Sequence, residues 1–510
     1  MKNAKQYLPG LIILVLFAIL SLFIYGDYGI SFDEVIQHEI GEVNYNYIFK
    51  NDNTLDTYLD KEYGVGFELP LIIIEKVFKL KDPNDIYTMR HMVTHFSFLI
   101  CMFAGYILAL KLFKNQFVAI ATFLMLLLCP RIYAHSYFNT KDIPSLSLVV
   151  LCFTAQYYAL TRKSIIGYSI AGIVCGFAIG LRLMNLIIAA PLLGFLIIDI
   201  IRNIKNSKVV IRYLLSFALF ILLSWLVVVA SWPALWKDPY IRIVEFYQHL
   251  SKFRWNGNVL LNGQIFQSSE LPWFYIPLWF TITVPILWQT LSLIGIVAIL
   301  LLVFKKSPTI ASDAITRLLL IFVFCFIGPV VVVIYLKAVL YDDWRHLYFI
   351  YPSFVFLAAY ALNKLIKTKL KTPIISLFAI QLALVLFFFV QYHPNQNVYF
   401  NEFVPRSEDY LMKHYELDYW KHSFRQGLKW IAENSNKKTI YVNDGNMMLD
   451  RNILISDTSI RNRFKTTNTD SLVDYHLQVF RTVPYKYSRE KSIHEIDVLG
   501  SPILRITKLK

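Results

Sequence analysis

The chain has 510 residues, of which 56% are hydrophobic and 16% aromatic, and its mean hydropathy is +0.49. Soluble domains rarely reach this hydropathy, which excludes a soluble protein. The net charge of +15 could suggest a nucleic-acid partner, but many basic residues lie in short loops between apolar runs, and no nucleic-acid fold signature accompanies them. The five cysteines lie in apolar runs without Cys-x-x-Cys spacing, so neither a zinc site nor a disulfide framework is indicated.

Apolar runs that are long enough to cross a bilayer recur along the chain and predict about eleven transmembrane helices. They lie near 8–25, 92–112, 117–134, 143–160, 165–181, 183–201, 211–231, 276–304, 318–338, 347–366 and 373–391. The first run has no small-residue cleavage site before Gly26, so we interpret it as a retained helix and not as a signal peptide.

Basic residues in the short loops predict the orientation of these helices. They share one side of the membrane if the N-terminus is cytoplasmic: Lys2, Lys5, Lys111, Lys114, Arg162, Lys163, Arg202 to Arg212, Lys305, Lys306 and Lys364 to Lys371. The outer side then carries residues 26–90, three loops near 135–142, 232–275 and 339–346, and the C-terminal tail. Within the first external loop, residues 69–80 are too short to span and predict an interfacial helix.

The hydropathy falls after Tyr392, which divides the chain into a transmembrane domain, 1–391, and a soluble extracytoplasmic domain, 392–510. Residues 422–434 have helical spacing and residues 439–443 have the composition of a strand. The predicted fold is therefore an all-α polytopic membrane protein with a small C-terminal α/β domain.

Charged residues that could carry chemistry lie at the outer ends of the predicted spans. The set comprises Asp33, Glu34, Lys141, Asp142, Arg182, Arg345 and His346. Each residue taken singly has a simpler interpretation as a solvated loop residue or a lipid-headgroup anchor, and both interpretations stay open for a single loop. Arg182 is the hardest to explain in that way, because it divides a long apolar stretch. The coincidence of acids and cations on one membrane face favours a functional site.

Such a set fits the transfer of a sugar from a lipid phosphate. A positioned carboxylate can take the proton of an acceptor hydroxyl. Arginine or lysine can stabilise the negative charge that grows on the leaving phosphate. A lipid tail would lie between helices, with its phosphate at the interface.

The order of these motifs resembles the membrane-embedded glycosyltransferases of the C fold, and within them glycosyltransferase family 39. That family includes protein O-mannosyltransferases and the enzyme that adds aminoarabinose to lipid A. The resemblance rests on Asp33-Glu34 after the first span, Asn139-Thr140-Lys141-Asp142-Ile143-Pro144, Arg345-His346 ahead of a span, and the tail segments His393-Pro394, Val398 to Asn401 and Glu416-Leu417-Asp418-Tyr419-Trp420. The chain departs from the family at Val404-Pro405-Arg406 and at Lys421, where glycines are usual.

The resemblance implies an inverting glycosyltransferase of the bacterial cytoplasmic membrane, with a polyprenyl-phosphate-linked hexose or pentose as donor. It assigns Asp33 as the base, with Glu34 and Asp142 orienting the acceptor and the sugar. The donor phosphate would be held by Lys141, Arg182, Arg345 and His346. The acceptor would be a lipid, a glycan or a protein on the outer face, and no metal or other cofactor is required by these residues.

Two other functions use the same charges. A transporter or flippase for a lipid-linked or anionic solute would need the cations and no base, although no inverted repeat or pair of broken helices is evident in the sequence. A subunit whose partner is the active enzyme is the third interpretation, since the soluble tail could serve assembly equally well.

Overall fold

The computed structural model describes residues 5–251, 254–305, 313–443, 448–469, 471–481 and 491–510. Lys2 and Lys306, which contribute to the predicted orientation, lie outside the described residues. The first half of the chain forms eleven α-helices: α1 Leu8–Ile24, α2 Phe32–Lys50, α3 Thr54–Thr57, α4 Glu68–Val77, α5 Pro83–Phe113, α6 Gln116–Leu127, α7 Pro130–Phe138, α8 Asp142–Arg162, α9 Ile165–Leu181, α10 Leu186–Arg202 and α11 Ser207–Ala230.

The second half contains the remaining helices and all seven strands among the described residues. The helices are α12 Pro239–Ser251, α13 Tyr275–Thr283, α14 Ile286–Lys305, α15 Ala314–Tyr335, α16 Tyr351–Leu365, α17 Lys371–Gln391, α18 Tyr410–His414, α19 Ser423–Asn434, α20 Met448–Leu454 and α21 Thr458–Arg461. The strands are β1 Asn258–Leu261, β2 Gln264–Gln267, β3 Ile440–Asn443, β4 Phe464–Thr466, β5 Tyr475–Val479, β6 Ser492–Val498 and β7 Ser501–Lys508.

Every predicted span is helical, but fewer than eleven helices can cross a membrane alone. Within the described ranges, eight helices are long and apolar enough, or nine if α6 and α7 count as one span. Pro130 begins α7 after a bend of 59°, because a proline cannot continue the preceding helix. The α9 helix has 17 residues, at the lower limit for an independent span, and α16 has 15, which is below that limit. The structure thus confirms a multi-pass helical protein and does not confirm the count.

The short α16 helix lies at the centre of the bundle. Every residue from Tyr351 to Asn363 is buried, so this helix touches protein on all sides. A helix with no lipid-facing stripe needs neither a full bilayer length nor a uniformly apolar surface. A buried apolar helix and a lipid-facing span therefore look alike in a hydropathy profile.

Small residues allow α9 and α11 to pack closely. A Cβ atom added at Gly172 would lie 2.6 Å from the carbonyl oxygen of Phe220, and one at Gly176 would lie 2.6 Å from that of Ser224. The Ser224 hydroxyl donates to the Gly172 carbonyl at 2.8 Å. Spacing of small residues by four is a common basis of helix association in membranes. The packing of α9 against α11 holds the C-terminal end of α9, and with it the following Arg182, in a fixed position.

A five-stranded mixed sheet follows the last long helix, with the strand order β4-β3-β5-β7-β6. The β3 strand pairs in parallel with β4 and β5, and β7 pairs antiparallel with β5 and β6. Leu428 and Ile431 of α19 join its apolar core. The predicted helix at 422–434, the strand at 439–443 and the small C-terminal α/β unit are confirmed, while the domain boundary after residue 391 stays a prediction.

The predicted first external loop, 26–90, holds three helices and the start of α5. The predicted interfacial segment 69–80 corresponds to α4, and its placement at a membrane surface stays a prediction. The α5 helix begins nine residues before the predicted span at 92, at Pro83, where Asp82 accepts a hydrogen bond from the Asn84 amide. A proline in the first turn and an aspartate cap favour a helix start at this point, and hydropathy alone does not detect a polar first turn.

Candidate active site

Four separate elements bring the predicted charged residues to one end of the bundle. Asp33 lies in the first turn of α2, and Lys141 precedes Asp142 at the start of α8. Arg182 lies between α9 and α10, and Arg345 begins a short 3-10 helix before α16. The helices α8 and α10 run away from this end and α9 returns to it. The predicted set therefore converges, with the exception of Glu34.

Arg345 is the centre of the cluster. Its Nη1 lies 3.0 Å from Asp33 Oδ2 and 3.3 Å from Asp142 Oδ2. Its Nη2 lies 2.9 Å from Asp342 Oδ2. The side chain is 1% exposed. Burial acts to lower the pKa of Arg345, but Asp33 and Asp342 outweigh it and raise that pKa above its ordinary value. One guanidinium thus gathers three carboxylates.

Both carboxylate oxygens of Asp142 accept hydrogen bonds from neighbouring side chains. Its Oδ1 accepts a hydrogen bond from Arg182, while its Oδ2 accepts one from the Asn139 side chain at 2.9 Å. Asn139 Oδ1 in turn accepts from the Asp142 amide at 2.8 Å, which caps the start of α8. Since Asp142 is 2% exposed and lies between two arginines, it is held rigidly as an anion.

Lys141 is differently placed from the arginines. Its Nζ lies 3.6 Å from the centre of the Tyr63 ring, and no carboxylate pairs with it in the part of the chain that the structure describes. Burial, with the charge of Arg182 nearby, lowers the pKa of Lys141 to about 7. An ammonium that stacks on an aromatic ring without a counter-ion would gain strongly from a bound anion.

A cavity of about 660 Å³ opens beside these cations. Its walls are mostly apolar and come largely from the start of α10, the end of α15 and the segment that follows α15: Leu186, Ile187, Ala190, Pro329, Val332, Val333, Leu336 and Leu340. Its polar end is formed by Lys141, Arg182, His346, Tyr63 and Tyr341, and the lining also includes Glu62, which pairs with His249. Arg345 is not among the described residues that line it. The cavity therefore has the form of an apolar groove that ends at positive charge.

Two nitrogen atoms at the polar end have no partner among the described residues. They are Nε of Arg182 and Nδ1 of His346. Burial lowers the pKa of Arg182 to about 10, so the group stays charged at neutral pH. Burial also lowers the pKa of His346, with Arg345 adding to the effect, and the ring is neutral. Both atoms are buried, and they belong to residues that line the cavity.

Glu34 makes different contacts from its neighbour Asp33. Its side chain is fully buried, and its Oε2 accepts a hydrogen bond from the Ser31 amide at 2.9 Å, while Ser31 Oγ accepts from the Glu34 amide at 3.1 Å. Its Oε1 lies 3.0 Å from Nε2 of His91. This reciprocal capping box fixes the first turn of α2 and so orients Asp33. The pattern Ser-x-x-Glu before a helix was a readable signal for this role.

The tail motif 416–420 reaches the same cluster. The Tyr419 hydroxyl donates to Asp343 at 3.0 Å, and Trp420 packs against Arg345 with 4.7 Å between the guanidinium carbon and the ring centre. Asp418 accepts hydrogen bonds from two backbone amides at the start of α19. Lys421, where the family has glycine, adopts a left-handed conformation with φ of 64°. Lysine adopts this conformation at a backbone cost that glycine would not carry.

Three contributors to the cluster lie outside the predicted set of site residues. Asp342 lies opposite Arg345, Tyr63 lies under Lys141, and Arg481 comes from the C-terminal sheet. Asp342 and Asp343 both have positive φ, 55° and 61°, a conformation that aspartate tolerates better than most residues. The Asp-Asp pair beside Arg345 was a visible signal, whereas no local pattern distinguishes Tyr63 or Arg481.

One group of side chains has metal-ligand geometry elsewhere. The ligand atoms of His38, Glu42 and Glu75 lie within 4.8 Å of one another. Lys76 pairs with both glutamates, and His38 Nε2 lies 2.8 Å from Glu75 Oε2. The ammonium of Lys76 already pairs with both carboxylates, so we interpret the group as an ion-pair network between α2 and α4.

Comparison with known families gives the class of protein. Residues 86–226 match the model of the family described as dolichyl-phosphate-mannose-protein mannosyltransferase. The match runs from α5 to α11, contains Lys141, Asp142 and Arg182, and confirms the resemblance to glycosyltransferase family 39 over these residues. Together with the apolar helices it supports a membrane-embedded glycosyltransferase.

One solved structure aligns with 97% of this chain and 97% of its own, with a TM-score of 0.46 and 11% sequence identity. It is the crystal structure of ArnT from Cupriavidus metallidurans bound to undecaprenyl phosphate. No curated protein sequence matches the chain.

Proposed function

We propose that the protein transfers a sugar from a polyprenyl-phosphate donor to an acceptor at the outer face of the bacterial inner membrane, with inversion at the anomeric carbon. The observation that carries the proposal is the apolar cavity that ends at Lys141 and Arg182, next to the carboxylates of Asp33 and Asp142. A lipid tail fits the apolar walls, and a phosphate fits the cations.

The donor phosphate is bound by the cations that line the cavity. Lys141 has no carboxylate partner among the described residues, and Arg182 keeps its Nε free of protein partners there. His346 supplies a neutral hydrogen-bonding nitrogen beside them. Arg345 also has an Nε without a partner among the described residues, but its Nη atoms hold three carboxylates and it is not among the described residues that line the cavity. We therefore assign Arg345 chiefly to the positioning of the acids.

Asp33 is the proposed general base. It is the most accessible carboxylate around Arg345, with 20% of its side chain exposed against 2% for Asp142 and 3% for Asp342. The acceptor hydroxyl would attack the anomeric carbon while its proton passes to Asp33. The bond between that carbon and the phosphate oxygen breaks, and the electron pair leaves with the phosphate. Lys141 and Arg182 stabilise the charge that develops there.

The direction in which the helices run supports the proposed orientation. The α8 helix leaves the site end and reaches Arg162 and Lys163, and α10 leaves it and reaches Arg202. Because basic loops stay in the cytoplasm, the site end and the C-terminal sheet face outward and the N-terminus is cytoplasmic.

Binding and transfer assays on the purified full-length protein test the proposal. Undecaprenyl phosphate is the binding probe, and a panel of synthetic undecaprenyl-phosphate hexoses and pentoses is the donor set. We expect binding, release of undecaprenyl phosphate from at least one donor, and loss of release in Asp33→Asn with binding retained. Binding without turnover of any donor, together with passage of the lipid across proteoliposome membranes, would indicate a flippase and overturn the transferase.

A further inference from the structure

One arginine of the C-terminal sheet reaches the acidic cluster. Arg481 lies two residues after β5, which pairs with both β3 and β7 inside the sheet. Its Nη2 lies 2.5 Å from Asp342 Oδ1, and its Nε lies 2.9 Å from Glu416 Oε1. The other oxygen of Asp342 is the one that binds Arg345. Asp342 is therefore shared between an arginine of the site and an arginine of the sheet.

Aromatic rings give a second connection between the same two arginines. The guanidinium of Arg481 lies 5.3 Å from the centre of the Trp255 ring, which stacks on Tyr341 at 4.2 Å. Tyr341 in turn lies 5.1 Å from the guanidinium of Arg345 and lines the cavity. Two independent routes thus run from Arg481 to Arg345, one through a carboxylate and one through stacked rings.

We propose that Arg481 is a positioning residue through which the C-terminal sheet sets the geometry of Arg345 and its carboxylates. Asp342 has a left-handed backbone and binds one arginine with each of its oxygens, and Arg481 supplies one of these two contacts. If Arg481 is lost, Asp342 is released on one side, Arg345 shifts, and Asp33 and Asp142 shift with it. The effect on catalysis rests on the proposed transfer reaction, whereas the effect on the loop does not.

Removal of Arg481 should leave the protein folded. Burial raises the pKa of Glu416 to about 8, while Arg481 acts to lower it. Without Arg481, Glu416 can take a proton and avoid becoming an unpaired buried anion. Asp342 keeps its contact with Arg345. The variant therefore does not leave an isolated buried charge.

The chain offers a matched control in Arg461. This arginine also joins the C-terminal part to a helix of the bundle, because its two Nη atoms lie 2.7 and 2.8 Å from the oxygens of Asp82 before α5. It belongs to α21 and makes no contact with the acidic cluster in the part of the chain that the structure describes. A role as a simple tether would make Arg461→Ala and Arg481→Ala behave alike.

The first test is hydrogen–deuterium exchange of the full-length protein in detergent, which needs no substrate. We expect faster exchange of segment 339–346 in Arg481→Ala, a smaller increase in Arg481→Lys, and wild-type exchange in Arg461→Ala. Equal exchange of this segment in Arg481→Ala and Arg461→Ala would overturn the proposal, whether or not the wild type transfers a sugar.

The second test uses an undecaprenyl-phosphate sugar that the wild type accepts. A displaced set of carboxylates should lower kcat roughly ten- to a hundredfold and leave the donor KM within about twofold. Arg481→Lys should recover part of kcat, because lysine keeps the positive charge but lacks the paired N–H donors of the guanidinium. A fall in rate that only follows the loss of folded protein, or one matched by Arg461→Ala, would contradict a positioning role. Failure of the wild type with every donor would instead count against the transferase, while the exchange result still decides the role of Arg481.

Discussion

Two buried arginines at opposite ends of the bundle show how differently the same ion pair can be used. Arg317 of α15 places its Nη atoms 2.7 and 2.5 Å from the two oxygens of Asp199, near the end of α10. Arg345 distributes its nitrogens over Asp33, Asp142 and Asp342, beside a cavity. Along α10, the first pair lies roughly 20 Å from the site end.

The difference lies in the balance of charge and in the access of a ligand. A bidentate pair of one arginine with one aspartate is neutral and geometrically complete, so it stabilises the contact between α10 and α15. Around Arg345 the acids outnumber the arginine, and the compensating cations, Lys141 and Arg182, line the cavity. A site that binds and releases an anion needs such adjustable charges, whereas a structural contact does not.

The largest expected effect concerns Asp33, the most accessible carboxylate around Arg345. Asp33→Asn keeps the size of the side chain and removes the base, so transfer should fall on the order of 10²–10⁴-fold. Undecaprenyl phosphate affinity should stay near wild type, since Asp33 is not a proposed phosphate ligand. Single-turnover assays with the active donor measure the first quantity and fluorescence titration the second. Near-normal turnover would remove Asp33 from the role of base.

The structural arginine should show its effect in stability. Arg317→Ala leaves Asp199 without a bidentate partner in a buried position, which costs about 3–5 kcal/mol in comparable cases. Thermal unfolding in detergent should show this loss, with undecaprenyl phosphate affinity of the folded fraction unchanged. The double variant Arg317→Met with Asp199→Leu removes both charges and should regain most of the stability. If Arg317→Ala instead weakens lipid binding in folded protein, the contrast between the two ends is wrong.

Conservative substitutions separate the two arginines of the site. Arg182→Lys loses the fork at the wall of the cavity and should weaken undecaprenyl phosphate binding roughly tenfold or more. Arg345→Lys should chiefly lower transfer, because the three carboxylates lose their common partner. Isothermal titration with undecaprenyl phosphate measures the loss of binding in each variant, and transfer assays measure the loss of activity. Equal losses of binding in both would return Arg345 to the role of phosphate ligand.

The smallest effect is a pH dependence at Lys141. Its pKa of about 7 means that the free protein loses this charge as the pH rises through 7. Undecaprenyl phosphate affinity should therefore fall several-fold between pH 6 and pH 8, by up to about tenfold per pH unit. Lys141→Arg stays charged over this range and should remove that part of the dependence, leaving only the titration of the phosphate itself. Identical pH profiles for the two proteins would exclude Lys141 as a phosphate ligand.

Much of the fold was determined by the sequence, because the period and length of apolar runs are local properties. These properties identified the helices and the change to a polar C-terminal unit. The motifs around Asp33, Lys141 and Arg345 could be identified because they are short and charged and follow the apolar runs. The capping box of Ser31 and Glu34 is equally local and was readable, although only the structure separated the role of Glu34 from that of Asp33.

The tertiary structure decided the properties that depend on residues far apart in the chain. Hydropathy cannot tell a lipid-facing span from α16, which is short because protein surrounds it on every side. Local sequence also cannot show that Arg345 binds three aspartates, or that Lys141 pairs with no carboxylate among the described residues. Arg481 lies 139 residues from its partner Asp342, and such a contact forms only when the sheet packs over the helices. The residue types set which charges are present, and their burial and pairing after folding determine which of them can meet a ligand.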